Sequence, residues 1–218
     1  MQAMLAIWSD IGKEHETDYL HWLTREHTTE RVSTPGFLSV RVFKAMRSDV
    51  SRYFICYALQ SADVVNSPAY VAKLNAPTPW SQRIMPLLGN FRRGGGPVRA
   101  QAGIGRGGWI APVILDRDMP SDATGLAASL AQGDRICTVS ILEIDGAKTA
   151  VETREKSMRK QDTSFAGLVL IGGLDDNAVR DARQNLRARA PDLASPDDAN
   201  EPLYQHVFSL HKDMLASA

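Results

Sequence analysis

The succession of apolar and amphipathic segments is the feature that most constrains the fold of this chain. The same succession of six elements occurs twice, once on each side of about residue 106. Apolar runs predict strands, and apolar positions spaced three or four residues apart predict helices. In the first half, Pro35-Gly36 ends the first helix, and three prolines break the second helical segment into pieces. The predicted elements of this half are a strand at 4–9, a helix over 13–33, strands at 37–46 and 52–60 joined by a polar turn at 47–51, a helix and a short second helix within 61–90 with a kink near 75–79, and a strand within 91–105 that glycines interrupt.

The second half repeats that order less regularly. Its predicted elements are a strand at 109–115, a short helix at 122–132, a strand at 135–145, a charged segment at 146–163 interpreted as a solvated loop or an exposed helical insertion, a strand at 165–174, a helix at 175–189, a polar loop at 192–201 and a strand at 203–210. Strand, helix, strand, strand, helix, strand is the order of the split β-α-β, or ferredoxin-like, fold. We therefore predict an N-terminal ferredoxin-like repeat, residues 1–105, and a C-terminal one, residues 106–218.

Two strands of the first half are apolar on both faces. The segments 37–46 and 52–60 carry apolar side chains on either side, so each face of the sheet needs cover. Helices cover one face, and the simplest cover for the other is the second sheet. The sequence therefore predicts an α+β fold in which two antiparallel sheets pack into an α+β barrel. A chamber between the sheets could hold a ligand, or side chains could fill it and leave no pocket.

Composition argues against several classes of partner. The chain has 25 basic and 25 acidic residues, and its zero net charge argues against nucleic acid or an anionic membrane as a partner. No apolar run approaches the roughly 18 residues that a membrane span needs. The N-terminal segment lacks the basic region of a signal peptide and carries Asp10 early, so we expect a cytoplasmic protein. Cys56 and Cys137 lie in apolar runs and are expected to be free thiols, with a disulfide between them as the alternative.

The first predicted helix holds the densest cluster of reactive side chains. Helical geometry places Tyr19, Leu23 and His27 on one stripe, with Glu26 beside it. His27 thus extends the apolar stripe that faces the sheet, where partial desolvation would bring its pKa near neutrality and let it move a proton. The alternative is a structural histidine that bonds a backbone carbonyl or favours the helix dipole. The whole cluster comprises His15, Asp18, Tyr19, His21, Trp22, Arg25, Glu26 and His27.

The spacing of candidate ligands does not favour a metal or a nucleotide cofactor. His15, His21 and His27 are six residues apart, which spreads them around a helix, so we expect no metal site. The glycines within 103–108 match the dinucleotide fingerprint formally, but that motif must open a helix and here it precedes a predicted strand. The segment 92–96 (RRGGG) could hold an anion with backbone amides and guanidinium groups, or it could form a mobile loop. We therefore expect no cofactor.

A resemblance to a known superfamily adds to this interpretation. The segment Trp22–His27 (WLTREH), followed by Pro35-Gly36-Phe37 and an alternating strand, resembles the dimeric α+β barrel superfamily, and within it EthD-like and related small stress-response or monooxygenase-type domains. The resemblance covers roughly residues 4–105 and implies two ferredoxin-like units that pair their sheets into a barrel. The second crossover of such proteins is matched by Ser67–Tyr70 (SPAY), Leu74-Asn75, Pro77–Trp80 (PTPW) and Arg83.

The resemblance also bears on assembly. A tandem chain can build the barrel internally, and two chains could still associate as a homodimer. The second half lacks the tryptophan and the Glu-His pair of the first helix, so a single site is expected, in the N-terminal half.

The resemblance implies a cofactor-independent enzyme that acts on a small aromatic or polyketide-like molecule by oxygenation, isomerisation or decarboxylation. His27 is then the acid or base, and Glu26 or Arg25 is its orienting partner. A non-catalytic small-molecule binding or stress-response module with the same pocket is the alternative. In both hypotheses the partner is a small apolar or aromatic ligand, and the predicted walls of its pocket are Tyr19, Trp22, Tyr57 and Trp80.

Overall fold

The computed structural model describes residues 2–46, 50–115, 119–146, 151–160, 163–194 and 201–217. The predicted turn at 47–51 and the predicted loop at 192–201 lie mostly outside the described residues. The strands are β1 Ala3–Ile11, β2 Phe37–Ala45, β3 Ser51–Leu59, β4 Gly89–Gly103, β5 Trp109–Leu115, β6 Ile136–Glu143, β7 Gly167–Gly173 and β8 Tyr204–His211. The α-helices are α1 Glu16–Trp22, α2 Thr28–Ser33, α3 Pro68–Asn75, α4 Pro79–Ile84, α5 Ala123–Ala131, α6 Arg154–Met158 and α7 Asp176–Arg189. Short 3-10 helices occupy Lys13–His15, Ala62–Asn66, Met85–Leu87 and Lys212–Ser217.

The eight strands form one closed antiparallel barrel in the order β1-β3-β2-β8-β5-β7-β6-β4. The strand order is the same in both halves, β4-β1-β3-β2 in the first and β8-β5-β7-β6 in the second. The halves join where β2 pairs with β8 and where β4 pairs with β6. The predicted α+β barrel of two ferredoxin-like units is therefore confirmed. The predicted domain boundary falls in the connection between β4 and β5 and stays a prediction.

Successive side chains of each strand point alternately into the barrel and out toward the helices. In β1, Ala6 and Trp8 belong to the interior cluster, whereas Leu5 and Ile7 pack under the helices. Trp8 meets Phe54 edge to face inside the barrel, with 4.6 Å between the ring centroids. Side chains therefore fill the middle of the chamber, and cavities lie toward its two ends. The buried interior cluster consists of Ala6, Trp8, Phe43, Ala45, Phe54, Cys56, Ile110, Ile114, Leu142, Leu168 and Tyr204.

The first helix contains a π turn, Leu23–His27, between α1 and α2. A π turn holds one residue more than an α-helical turn and is frequent at functional sites. The Thr24 hydroxyl donates to the carbonyl oxygen four residues before it, 2.7 Å away, and so competes with the backbone ladder. His27 and Arg31 are both buried, whereas Glu26 is only half-buried.

The glycine-rich segment 92–96 is part of β4 and pairs with β1 along its length. Both sequence-based interpretations of this segment, an anion-binding loop and a mobile loop, are therefore wrong. A Cβ atom on Gly96 would lie 1.9 Å from the carbonyl oxygen of Glu143, and one on Gly94 would lie 2.6 Å from the ring of Phe165. The absence of side chains at Gly94 and Gly96 thus lets β4 lie close to Phe165 and to the backbone of Glu143.

The charged segment 146–163 contains helix α6, and it covers the helices of the N-terminal half. The Glu155 side chain in α6 is buried, with 2% of the residue exposed, and it accepts a hydrogen bond from Arg31. The Arg154 backbone N–H donates to Asn75 Oδ1 at the end of α3, 3.0 Å away. The helical part of the prediction is confirmed, and the predicted exposure is wrong at Glu155.

Candidate functional site

A cavity of about 30 Å³ lies between the first helix and the outer face of the sheet in the N-terminal half. The sequence-based prediction placed the pocket in the chamber between the two sheets, and this cavity lies outside that chamber. We call it the His27 cavity. Its polar lining residues are Ser9, Tyr19, His27, Arg31, Tyr57, Tyr70, Arg93, Glu155 and Arg159.

His27 reaches this cavity because it ends the π turn. It is 7% exposed, and its ring lies against the indole of Trp22, with 4.3 Å between centroids and 32° between planes. Burial lowers its pKa well below the ordinary histidine value, and the nearby Arg31 and Arg159 lower it further. The imidazole is therefore neutral at neutral pH, which is the form that can accept a proton.

The buried polar atoms at the cavity that have no hydrogen-bond partner among the described residues include His27 Nδ1, Tyr57 Oη and Arg31 Nη1. The nearest carboxylate oxygen to Arg31 Nη1 outside its own pair is on Glu30, 3.8 Å away, which is too far for a hydrogen bond. Leaving such a group unsatisfied costs about 1–3 kcal/mol. Around one cavity, these atoms are available to hydrogen-bond a molecule that enters it.

The cavity is electropositive. Three arginines and one glutamate line it, so with His27 neutral the lining carries a net positive charge. Arg31 is 2% exposed and pairs with Glu155, and its guanidinium lies 5.5 Å from the ring centroid of Tyr70. Burial is the largest influence and lowers the pKa of Arg31, but Glu155 together with Tyr70, Glu30 and Tyr57 raises that pKa above its ordinary value. Arg93 donates to Tyr70 Oη over 3.4 Å.

Tyr19 and Tyr57 are protonated at neutral pH. Burial raises the pKa of both Tyr19 and Tyr57 above the ordinary tyrosine value. Tyr19 Oη lies 3.0 Å from Ser9 Oγ, so its hydrogen-bonding capacity is partly used. Tyr57 Oη has no such partner in the described part of the chain and can donate to a ligand oxygen.

The structure brings together some of the predicted site residues and separates others. His27, Tyr19, Trp22 and Tyr57 all line the His27 cavity, and three other predicted residues do not. Glu26 accepts a hydrogen bond of 2.5 Å from Thr78 Oγ1. The Nε1 atom of Trp80 donates to Asp18 Oδ1 over 3.0 Å. The third residue, Arg25, is exposed.

Sequence reasoning missed six polar residues of the cavity, which are Ser9, Arg31, Tyr70, Arg93, Glu155 and Arg159. Arg31 follows His27 by one α-helical turn, so the periodicity of the helix could have found it. Tyr70 lies in the segment quoted for the superfamily resemblance, and Arg93 lies in the glycine-rich segment, but neither was assigned to the site. Glu155 carries no signal, because it lies 124 residues from its partner Arg31 in a segment that looks solvated.

The two ends of the barrel hold larger cavities. One of about 240 Å³ is lined by Arg41 and Arg106, and one of about 230 Å³ lies at the opposite end beside Arg52. Cys56, at the first of these cavities, and Cys137 are free thiols, as predicted.

Residues 2–46, 50–115, 119–146, 151–160, 163–194 and 201–217 hold no group of three or more His, Cys, Asp or Glu side chains that could bind a metal ion. None of the helices within those ranges combines the length and the apolar character needed to cross a membrane.

Comparison with solved structures shows the same fold in proteins of low sequence similarity. An anthrone oxidase-like protein matches with a TM-score of 0.60 and 15% identity over 97% of this chain and 93% of that chain. A candidate monooxygenase from Fusobacterium nucleatum matches with a TM-score of 0.58 and 10% identity, over 97% of this chain and 94% of the other. A candidate chlorite dismutase matches with a TM-score of 0.54 and 13% identity, over 95% and 96%.

At these identities the likeness concerns the fold alone. No model of a known protein family matches the sequence, and no curated protein matches it. The α+β barrel is therefore shared with proteins named for several different activities.

Proposed function

We propose that this protein is an enzyme for a small aromatic or polyketide-like molecule, and that His27 removes a proton from that molecule. The observation that carries the proposal is the set of three buried atoms without a hydrogen-bond partner, His27 Nδ1, Arg31 Nη1 and Tyr57 Oη, around one cavity. One is a base and two are donors. A base beside donors suits a reaction that takes a proton and leaves negative charge on an oxygen.

The proposed step follows from these roles. His27 Nδ1 accepts a proton from an acidic carbon or a phenol of the ligand, and the imidazole becomes an imidazolium. The electron pair moves to a ligand oxygen, which accepts hydrogen bonds from Arg31 Nη1 and Tyr57 Oη. Trp22 supports the imidazole from its face, at 4.3 Å. Glu155 holds Arg31 in place, and the other two arginines add positive potential where the anion forms.

The His27 cavity must enlarge before the proposed ligand can enter it. A volume of about 30 Å³ holds about two water molecules and is too small for an aromatic ring system. Residues 151–160 supply Glu155 and Arg159 to the lining, and backbone hydrogen bonds from Asp145 and Thr163 to β4 hold the chain on either side of them. We infer that this segment moves outward when the ligand enters, as lids do in many enzymes.

Proton exchange of anthrone tests the proposal. Anthrone has an acidic methylene group, and its anion carries the charge on oxygen, so it suits the three polar atoms of the cavity. The rate of exchange of its methylene protons in D₂O without oxygen is measured by proton NMR. We expect the protein to accelerate this exchange, and His27→Gln to lower the enzymatic rate by about a hundredfold or more.

The matched control for that experiment is His21→Gln, because His21 lies on the same helix and is exposed. His21→Gln should keep the wild-type rate. Binding of anthrone without any accelerated exchange would favour the second candidate, a non-catalytic binding module, which needs the same cavity but no base. Equal rates in the wild type and His27→Gln would contradict the catalytic role of His27.

We further propose that residues 1–105 and 106–218 are tandem repeats of an EthD-like unit, that the protein is cytoplasmic, and that two chains can form a homodimer. The common strand order of the two halves supports the first of these proposals. Sedimentation of the purified chain tests the last.

A further inference from the structure

We propose that the end of the barrel between Arg41 and Arg106 binds a small organic oxyanion that carries a carboxylate or a phosphate group. This site is separate from the His27 cavity, and it lies inside the barrel. The cavity there has a volume of about 240 Å³, which is eight times that of the His27 cavity. A molecule of a few carbon atoms fits it without movement of the backbone.

Charge is the first reason. Arg41 and Arg106 line the cavity, and no carboxylate lines it among the described residues. Neither arginine forms an ion pair within that part of the chain. Burial and the neighbouring Arg106 lower the pKa of Arg41 to about 10, so it keeps its positive charge at neutral pH at a cost that an anion would remove.

At the opposite end of the barrel, carboxylates of this chain balance the charge of a partly buried arginine, Arg52. Arg52 there donates from Nε to Asp10 Oδ1 over 2.5 Å and from Nη2 to Asp10 Oδ2 over 2.9 Å. Glu201 lies 3.6 Å from the same guanidinium. Two carboxylates therefore neutralise Arg52, whereas Arg41 has Arg106 as its charged neighbour. The difference indicates that the anion at the Arg41 end comes from outside the chain.

Position is the second reason. Arg41 Nη2 donates to the carbonyl oxygen of Gly107 over 2.8 Å, and its guanidinium lies 4.6 Å from the ring centroid of Phe43. These contacts fix the plane of the guanidinium, and a fixed fork can bind two oxygens of a carboxylate or a phosphate. Hydroxyl groups of Ser39 and Ser140, both buried, line the same cavity and can donate to the remaining oxygens.

The glycine-rich connection between β4 and β5 explains how Arg106 reaches the cavity. Gly103 and Gly105 have φ angles of +87° and +79°, a conformation that glycine adopts without strain. A Cβ atom on Gly103 would also lie 2.1 Å from the carbonyl oxygen of Cys137. The connection therefore turns sharply over the end of the barrel and carries Arg106 above Arg41. Gly103 and Gly105, which match the dinucleotide fingerprint only formally, thus line one wall of this cavity.

Calorimetric titration of the full-length protein tests the proposal. The probes are inorganic phosphate and malonate, titrated separately at low ionic strength, because salt screens exposed charges. We expect saturable binding of at least one of them, and the stronger probe shows whether phosphate or carboxylate is preferred. Arg106→Gln should weaken that binding about tenfold or more, since a hydrogen bond to a charged group contributes about 1.5–3 kcal/mol. Arg106→Glu should abolish it.

Arg106 is exposed, so its substitution should leave the fold intact. The charge-matched control is Arg25→Gln, an exposed arginine on the first helix, which should bind the probe as the wild type does. Choline, a cation of similar size, should not bind at this site. Absence of saturable binding by both probes would overturn the proposal. Binding that survives both Arg106 substitutions would also overturn it, because the anion would then lie elsewhere.

Discussion

The two helix–sheet layers of this protein have the same strand order and different contents. Under the helices of the C-terminal half, the buried cluster consists of aliphatic side chains such as Val113, Ile141 and Leu186. Under the helices of the N-terminal half, the layer also buries tyrosines, a tryptophan, His27 and Arg31. An aliphatic layer only stabilises the fold. The fold therefore provides an equivalent helix–sheet layer twice. The side chains of the first helix put polar and charged groups into one of these layers.

The π turn and the segment 151–160 make the difference between the layers. The first helix of the N-terminal half runs from α1 through the π turn to α2, whereas its counterpart α5 has nine residues and no such turn. The helix of the segment, α6, comes from the C-terminal half and contacts α3 in the N-terminal half. One layer is therefore closed by its own helices, and the other also needs a segment from the second half.

Breaking the buried ion pair tests this comparison with the largest expected effect on stability. Glu155→Gln leaves Arg31 charged and buried without its partner, which should cost about 3–5 kcal/mol of unfolding free energy. The double substitution Arg31→Met with Glu155→Leu should recover most of that loss, because an apolar pair needs no desolvation of charge. Urea unfolding measures both.

The matched control lies in the other layer. Asp176 and Arg180 form an exposed pair in α7, with 3.1 Å between Oδ2 and Nη2. Asp176→Asn should cost less than about 1 kcal/mol, since exposed pairs contribute little. Equal costs for Asp176→Asn and Glu155→Gln would mean that the pair between Arg31 and Glu155 does not hold the segment 151–160 on the first helix.

The sequence predicted the barrel and about half of the site, for reasons that can be stated residue by residue. Local periodicity identifies strands and helices, and the apolar character of both faces of β2 and β3 requires a second sheet. The same periodicity placed Tyr19 and His27 on one stripe, and both line the cavity. It also placed Glu26 beside that stripe, and Glu26 is indeed half-buried, but it accepts a hydrogen bond from Thr78 and does not line the cavity. Glu155 was out of reach, since only the tertiary fold brings it to Arg31.

The next largest expected effect is the pH dependence of the unfolding free energy, which the buried His27 of the N-terminal layer should produce. Burial with two nearby arginines, Arg31 and Arg159, lowers the pKa of His27, whereas a histidine in the unfolded chain takes up a proton near pH 6.5. Below about that pH the unfolded state binds more protons than the folded state, so stability is complete above it and falls as pH decreases toward the folded pKa. His27→Gln should remove up to about 1.4 kcal/mol per pH unit of that fall.

Urea unfolding at a series of pH values between about 7.5 and about 5 measures the slope. Burial and Arg41 also lower the pKa of His206, so His206→Gln should remove a part of the slope as well. A slope in His27→Gln equal to that of the wild type would show that His27 is not buried as a neutral group.

The smallest expected change in stability concerns two tyrosines of the same layer. Tyr19 Oη has a partner in Ser9 Oγ, at 3.0 Å, so Tyr19→Phe should cost about 1 kcal/mol of unfolding free energy. Tyr57 Oη is buried and has no partner among the described residues, so Tyr57→Phe should leave stability unchanged or raise it by up to about 1 kcal/mol. Both values come from urea unfolding at one pH.

Activity should follow the opposite order, because a donor that is unsatisfied in the empty site is available to the ligand. Tyr57→Phe should lower the exchange rate of anthrone about tenfold or more, and Tyr19→Phe should change it less. A Tyr57→Phe variant that is both less stable and fully active would contradict the assignment of Tyr57 as a donor to the ligand oxygen. A variant that is more stable and less active would mean that the N-terminal layer keeps an unsatisfied group for its chemistry, which the aliphatic layer of the other half has no reason to do.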